Sequence, residues 1–290
     1  MNLDRAGDGG GNAIAVTGEV ARYAIEAAAC SPSVRDARPW CFDTCSSGTC
    51  ADVAVRLCED AGARRRPADP EGRGMLIGCG AALCTLRLAV LRCGREPQVR
   101  VLPDPGRPGL LAEVRLGGPV TVTGEVCELC GQIRRRAGPP GPFPDGRQGA
   151  LALSGLRDEA RREGAALHVV SPGVRLALAA LAEAGEREGG PDSRDATDPA
   201  GCDVGWRRDG GTGVVAVLTT EGDERRDWLA AGQALQRVLL RAGTAGLAAA
   251  FHLRTLAAPE LRQFIGCRLF DGAHPQIMMR LGAARTGHGP

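Results

Sequence analysis

Ser33-Val34-Arg35-Asp36-Ala37-Arg38-Pro39-Trp40 follows a helix-like run from Thr17 to Cys30 and leads into a strand-like run over about 39–44. Pro32 and Pro39 bracket the stretch. Each fixes its own φ, removes a backbone donor and pushes the residue ahead of it out of the helical region. From its residues alone the stretch is a proline-punctuated corner between helix and strand, with Arg35, Asp36 and Arg38 as its charges.

The pattern on the C-terminal side forms two similar series of elements. The first half reads helix (about 18–29), strand (39–44), strand (52–58), helix, strand (98–102) and strand (111–116). Its central helix carries Leu76, Cys79, Leu83, Leu86 and Val90 at three- and four-residue steps, a buried stripe. The second half reads helix (124–136), helix (149–164), strand (166–170), helix (173–186), strand (213–219), helix (225–245) and strands at 247–251 and 275–281. Trp228, Leu235, Leu239 and Ala242 mark the core side of the long helix. A Gly/Asp/Pro-rich segment, 187–212, has the length and composition of a lid-like loop.

Val16-Thr17-Gly18-Glu19-Val20 recurs as Val122-Thr123-Gly124-Glu125-Val126. Each Thr suits an N-cap, with a glutamate in the first turn to complement the helix dipole. The repeat predicts a duplication with helices 18–29 and 124–136 in equivalent places. The expected division is a disordered N-terminus at 1–13, a first half at 14–120 and a second half at 121–290. The expected class is α+β, an internal pseudo-dimer with mixed or antiparallel sheets packed against helices.

Composition removes several functions. The net charge is only +2, which gives no electrostatic basis for binding nucleic acid or an anionic membrane. All 36 basic residues are arginine, so a Schiff-base lysine and a Walker A lysine are excluded. The N-terminal residues lack the apolar core of a signal peptide. The apolar run Met75–Leu91 carries Arg87 and reads as too short for a membrane span, so a cytoplasmic protein is expected. Twelve cysteines include one CxxC, Cys127-Glu128-Leu129-Cys130, with no second CxxC or paired histidines at zinc spacing, so no metal site is assigned.

The corner resembles the Pro-Ser-x-x-Asn-x-Gln-Pro-Trp corner of the nitroreductase family: Pro32, Ser33, Pro39 and Trp40 match. Asp36 stands where Asn is usual and Arg38 where Gln is usual. Gly74–Ala89 resembles a second signature of one branch, the Acg-type nitroreductase-like proteins of actinobacteria. Asp227–Leu240 and His274–Gly282 resemble that branch in order. The resemblance implies an FMN-dependent NAD(P)H oxidoreductase passing electrons to a small-molecule acceptor. It further implies a monomer whose halves form one composite flavin site, with no catalytic side chain required at the ring.

The same resemblance implies the site residues. Ser33, Asp36 and Arg38 lie at the ring, Arg134, Arg135 and Arg136 at the phosphate, and Arg280 or Arg285 as further cations. A backbone N–H near Ala250 to His252, around Phe251, points toward flavin N5. In the family's Arg-x-Thr-Asn-Arg-x-Pro-Phe segment, Arg136, Pro142 and Phe143 match, while Gly138, Pro139 and Pro140 replace the hydroxyl, the amide and the second arginine. Two prolines remove two backbone donors that a phosphate would use. Asp36, acceptor-only when ionised, is able to pair with Arg35 or Arg38 instead of a flavin carbonyl. Two alternatives therefore stand beside the enzyme: a flavin-sequestering protein without turnover, and a flavin-free scaffold.

Overall fold

The computed structural model describes residues 9–32, 38–45, 53–60, 69–135, 150–175, 177, 178, 180, 213–252 and 256–283. In chain order its elements are α1 (Gly9–Ala28), β1 (Trp40–Cys45), β2 (Ala54–Glu59), α2 (Arg73–Arg92), β3 (Arg95–Val101), β4 (Leu110–Pro119) and α3 (Gly124–Gln132). They continue as α4 (Ala150–Arg162), β5 (Ala166–Val169), β6 (Val214–Thr220), α5 (Arg225–Thr244), β7 (Leu247–His252), α6 (Pro259–Leu269) and β8 (His274–Ala283). The class is α+β.

Two four-stranded antiparallel sheets are ordered β1-β2-β4-β3 and β5-β6-β8-β7. In each, the long helix, α2 or α5, connects the second strand to the third. These two helices pack against each other at the centre. Gly80 and Gly232 set how closely: a Cβ on Gly80 would lie 2.2 Å from Leu229 O, and one on Gly232 would lie 1.9 Å from Ile77 O. The shared core runs through both halves, from Leu57, Leu86 and Leu111 to Leu218, Leu229 and Ile277.

Helix α2 is long and apolar enough to cross a membrane by length and composition, contrary to the length argument above, but 89% of that window is buried inside the fold. Its apolar surround is protein: α1, α3 and α5 pack on it along with its own sheet. A helix apolar all round is a core helix when other elements cover it.

The expected equivalence of the first and third helices fails. Helix α1 opens at Gly9, inside the stretch expected to be disordered, so Thr17 lies in its interior and is buried instead of capping it. The helix starts there against the low helix propensity of Gly9 to Gly11. Thr123 does cap α3, accepting from Val126 N–H at 3.3 Å. By position, α4 on α5 matches α1 on α2, whereas α3 bridges both long helices. Residues 1–8, most of 173–186 and the 187–212 loop lie outside the described residues.

Candidate functional site

The corner is held from both flanks onto α2. Ser31 Oγ donates to Thr85 Oγ1 at 2.7 Å, Gln236 Nε2 donates to the same oxygen at 2.9 Å, and Thr85 donates to Ala81 O at 3.1 Å. One fully buried hydroxyl thus uses its proton and both lone pairs to join the corner's entry to α2 and α5. At the exit, Pro39 O accepts from Asp60 N–H at 2.9 Å and from the Cys79 thiol at 3.6 Å. Arg38 is exposed and has φ 37°, a left-handed conformation unusual for a non-glycine residue. Ser33, Arg35 and Asp36 lie outside the described residues, and with them the expected pairing of Asp36.

The second predicted segment leaves from α3. Leu129 and Ile133 pack with Cys84, Leu88 and Leu240, and the Cys130 thiol donates to Leu88 O at 3.5 Å. Arg134 and Arg135 follow, both exposed. Arg136, Gly138, Pro139, Pro140, Pro142, Phe143 and Arg285 lie outside the described residues, as does the expected approach of Ser33 to this segment. What the fold brings together is the flanks: the corner rests on α2 at Cys79 and Thr85, and α3 rests on it at Cys84 and Leu88.

Phe251 lies in β7 with Ala250 and His252. This is an edge strand paired only with β8, so alternate N–H groups face away from the ladder. Arg280 is buried in β8, in register with Ala250 on one side and Val215 on the other.

Sequence reasoning missed a buried polar network at the N-terminal end of α2. Arg73 donates to Gln276 O at 2.7 Å and to Gln276 Oε1 at 3.0 Å. Gln276 Nε2 donates to Thr220 Oγ1 and to Asp223 Oδ1 at 2.9 and 3.0 Å. Asp223 also accepts from Trp228 Nε1 at 2.7 Å and Arg262 Nε at 3.0 Å. Arg262 continues to Glu71 Oε2 at 3.0 Å and to Leu256 O and Ala257 O. Burial, and then the neighbouring Arg262, lower Arg73 to about 10. Burial works to raise the Asp223 carboxyl, yet hydrogen bonds from Gln276 and Trp228, together with the Arg262 charge, hold it below the usual range. With its donors and acceptors matched to one another, this network positions the two halves instead of offering groups to a substrate. One signal was readable: Gln276 is polar inside an apolar strand, and buried amides need partners.

A second ionic cluster clamps the helices. Glu159 accepts from Arg237 Nε at 2.6 Å and from Arg241 and Arg162, while Glu163 accepts from Arg87 at 2.6 Å. Among the described residues every cysteine is free, and no group of three histidine, cysteine or acidic side chains is arranged to hold a metal.

No protein-family model matches the chain. A Mycobacterium tuberculosis protein named "Putative NAD(P)H nitroreductase acg" is 26% identical over 305 residues, covering 93% of this chain and 90% of that relative. A second protein of that organism, also named as an NAD(P)H nitroreductase of the same provisional standing, is 26% identical over 311 residues, covering 94% and 87%. Among solved structures, an FMN-bound nitroreductase from Desulfitobacterium hafniense aligns with TM-score 0.41 and 18% identity, over 56% of this chain and 92% of that one. An FMN-bound nitroreductase from Bacteroides fragilis aligns with TM-score 0.40 and 15% identity, over 58% and 92%.

Proposed function

We propose that this chain, which resembles the Acg-type nitroreductase-like proteins along nearly its whole length, is a flavoprotein oxidoreductase. It would pass electrons from NAD(P)H through FMN to a small-molecule acceptor in the cytoplasm. The observation that carries this reading is the similarity to a protein named as an NAD(P)H nitroreductase over 93% of this chain and 90% of that relative. Two geometric features favour it. The flanks of both expected cofactor segments converge on one stretch of α2, and β7 leaves backbone N–H groups at a sheet edge beside β8.

The residues that would hold FMN are Ser33 at the ring, a backbone N–H of the Ala250–His252 strand, and Arg134, Arg135 and Arg136 at the phosphate, with Arg280 or Arg285 as further cations. Arg134 and Arg135 stand exposed at the end of α3, which suits an anionic group. When bound, the flavin supplies hydride acceptance and onward electron transfer. The chain's own part is to orient the ring between the corner and β7 and to neutralise the phosphate. The matching strand orders of the two sheets favour a monomer acting as a pseudo-dimer.

Gly138, Pro139 and Pro140, which lack the hydroxyl, the amide and the second guanidinium, favour the second reading, a flavin-free scaffold. The absorbance spectrum of the purified protein separates them. A flavin band retained through gel filtration, followed by NADPH oxidation with a quinone or nitroaromatic acceptor, is the expected result. A retained flavin with no turnover leaves a sequestering protein, and a colourless protein that takes up no added FMN leaves the scaffold.

Restoring the phosphate donors gives a further expectation. Gly138→Thr with Pro140→Arg should tighten FMN binding, since each hydrogen bond to a charged group contributes about 1.5–3 kcal/mol. Titration calorimetry reads this directly. Unchanged affinity in the folded double variant would place the phosphate elsewhere, on Arg280 or Arg285.

A further inference from the structure

Strands β1 and β2 pair so that Cys41 stands directly opposite Cys58. Two steps along the ladder, past Trp40 and Glu59, Asp60 N–H donates to Pro39 O at 2.9 Å, which makes that a hydrogen-bonded pair. Hydrogen-bonded and non-hydrogen-bonded pairs alternate in antiparallel strands, so Cys41 and Cys58 form a hydrogen-bonded pair, with Cα atoms about 5.5 Å apart. A disulfide needs a Cα separation of roughly 4.4–6.8 Å, and the spacing of such a pair falls inside that range.

The side chains agree with the register. Cys41 Sγ lies 3.7 Å from Cys58 O and 3.9 Å from Glu59 O, aimed across at β2. Trp40, Val55 and Leu57 face the core, so the alternating cysteines share the opposite face of the sheet. Cys41 is exposed and Cys58 half-buried beside it, an accessible thiol with a sheltered partner. Cys79 and Cys84, by contrast, are buried in the core.

We propose that Cys41 and Cys58 form a reversible cross-strand disulfide, a modification site for hydroperoxides on the outer face of the first sheet. The Cys41 thiolate attacks one peroxide oxygen and the O–O bond breaks, giving Cys41 sulfenic acid and, with one proton, water. The Cys58 sulfur, losing its proton, then attacks Cys41 Sγ. The S–O bond breaks, the S–S bond forms and a second water leaves. Two thiols together lose two electrons, and one hydrogen peroxide becomes two waters. A thiol reductant reverses the bond by exchange. The crosslink would fix β1, which begins at Trp40 straight after the corner, to β2, whose Glu59 accepts from Arg225 of α5 at 3.2 Å.

Peptide mapping tests this on the full chain. With arginine as the only tryptic site, Cys58 falls in peptide 57–64 and Cys41, Cys45 and Cys50 fall in peptide 36–56. The protein is treated with one equivalent of hydrogen peroxide, alkylated under denaturing conditions and digested. The expected result is a dithiothreitol-reversible link between these peptides, with fragment ions placing it on Cys41. The link should persist in Cys45→Ser and Cys50→Ser and vanish in Cys41→Ser. Alkylated Cys58 in the peroxide-treated wild type, or a link placed on Cys45 or Cys50, overturns the proposal. The wild-type localisation does not depend on any variant folding.

Discussion

Gly232→Ala is expected to destabilise the fold by about 3 kcal/mol or more, at the upper end of what overpacking costs. The added Cβ would lie 1.9 Å from Ile77 O and 2.8 Å from its carbonyl carbon. Both are backbone atoms of α2, so no flexible side chain is there to swing aside. Relief requires α2 and α5 to separate, which loosens the contact joining the two halves. Gly80→Ala should act alike, because its Cβ would meet Leu229 O at 2.2 Å. Gly131→Ala in α3 is the control: nothing lies within 4 Å of its Cβ, and a helix-interior glycine replaced by alanine gains up to about 1 kcal/mol. Urea unfolding of the three variants reads the contrast. A Gly232→Ala midpoint equal to wild type would mean that the long helices do not pack this closely.

Asp223→Ala is expected to cost about 1–3 kcal/mol, the range for leaving buried donors short of an acceptor, since the carboxylate itself is partly exposed. The change leaves Trp228 Nε1 and Arg262 Nε without their acceptor at once and takes one of two acceptors from Gln276 Nε2, which keeps Thr220 Oγ1. Arg262 is 1% exposed and cannot turn to water; Glu71 and two carbonyls still hold its other nitrogens, so the loss is partial for that guanidinium. The pH dependence carries a signature. The folded-state pKa of Asp223 is depressed, so its contribution is full above the ordinary aspartate value and is lost as pH falls through the folded value. The gap between wild type and variant should therefore be constant near neutrality and narrow in acid. A gap that is independent of pH down to the acid transition would assign the loss to packing alone.

Local pattern was enough for the regular elements. The three- and four-residue spacing from Leu76 to Val90 and from Trp228 to Ala242 placed α2 and α5, and the strands fall within a few residues of their apolar runs. The flanks of the corner, the end of α1 before Ser31 and the start of β1 at Trp40, were legible because prolines act on their own backbone and that of the residue before them. Helix α6 was missed although Pro259 at its start and Glu260 in its first turn are readable signals, because its apolar face is short (Leu261, Ile265 and Leu269) and is broken by a buried Arg262 and an exposed Phe264.

Composition and short-range periodicity were enough for the two long helices and for the removal of lysine chemistry, and the resemblance to a known family pointed to the α+β class. That the same Val-Thr-Gly-Glu-Val caps one helix and lies inside another emerged with the folded chain, since a cap depends on where the chain enters the helix. The tertiary structure alone paired Arg262 with Asp223 and Glu71, opposed Cys41 to Cys58, and pressed Gly80 against Gly232. The reason is physical: these contacts join residues distant along the chain, their strength comes from exclusion of water and from close approach, and neither is present until the two halves share one core.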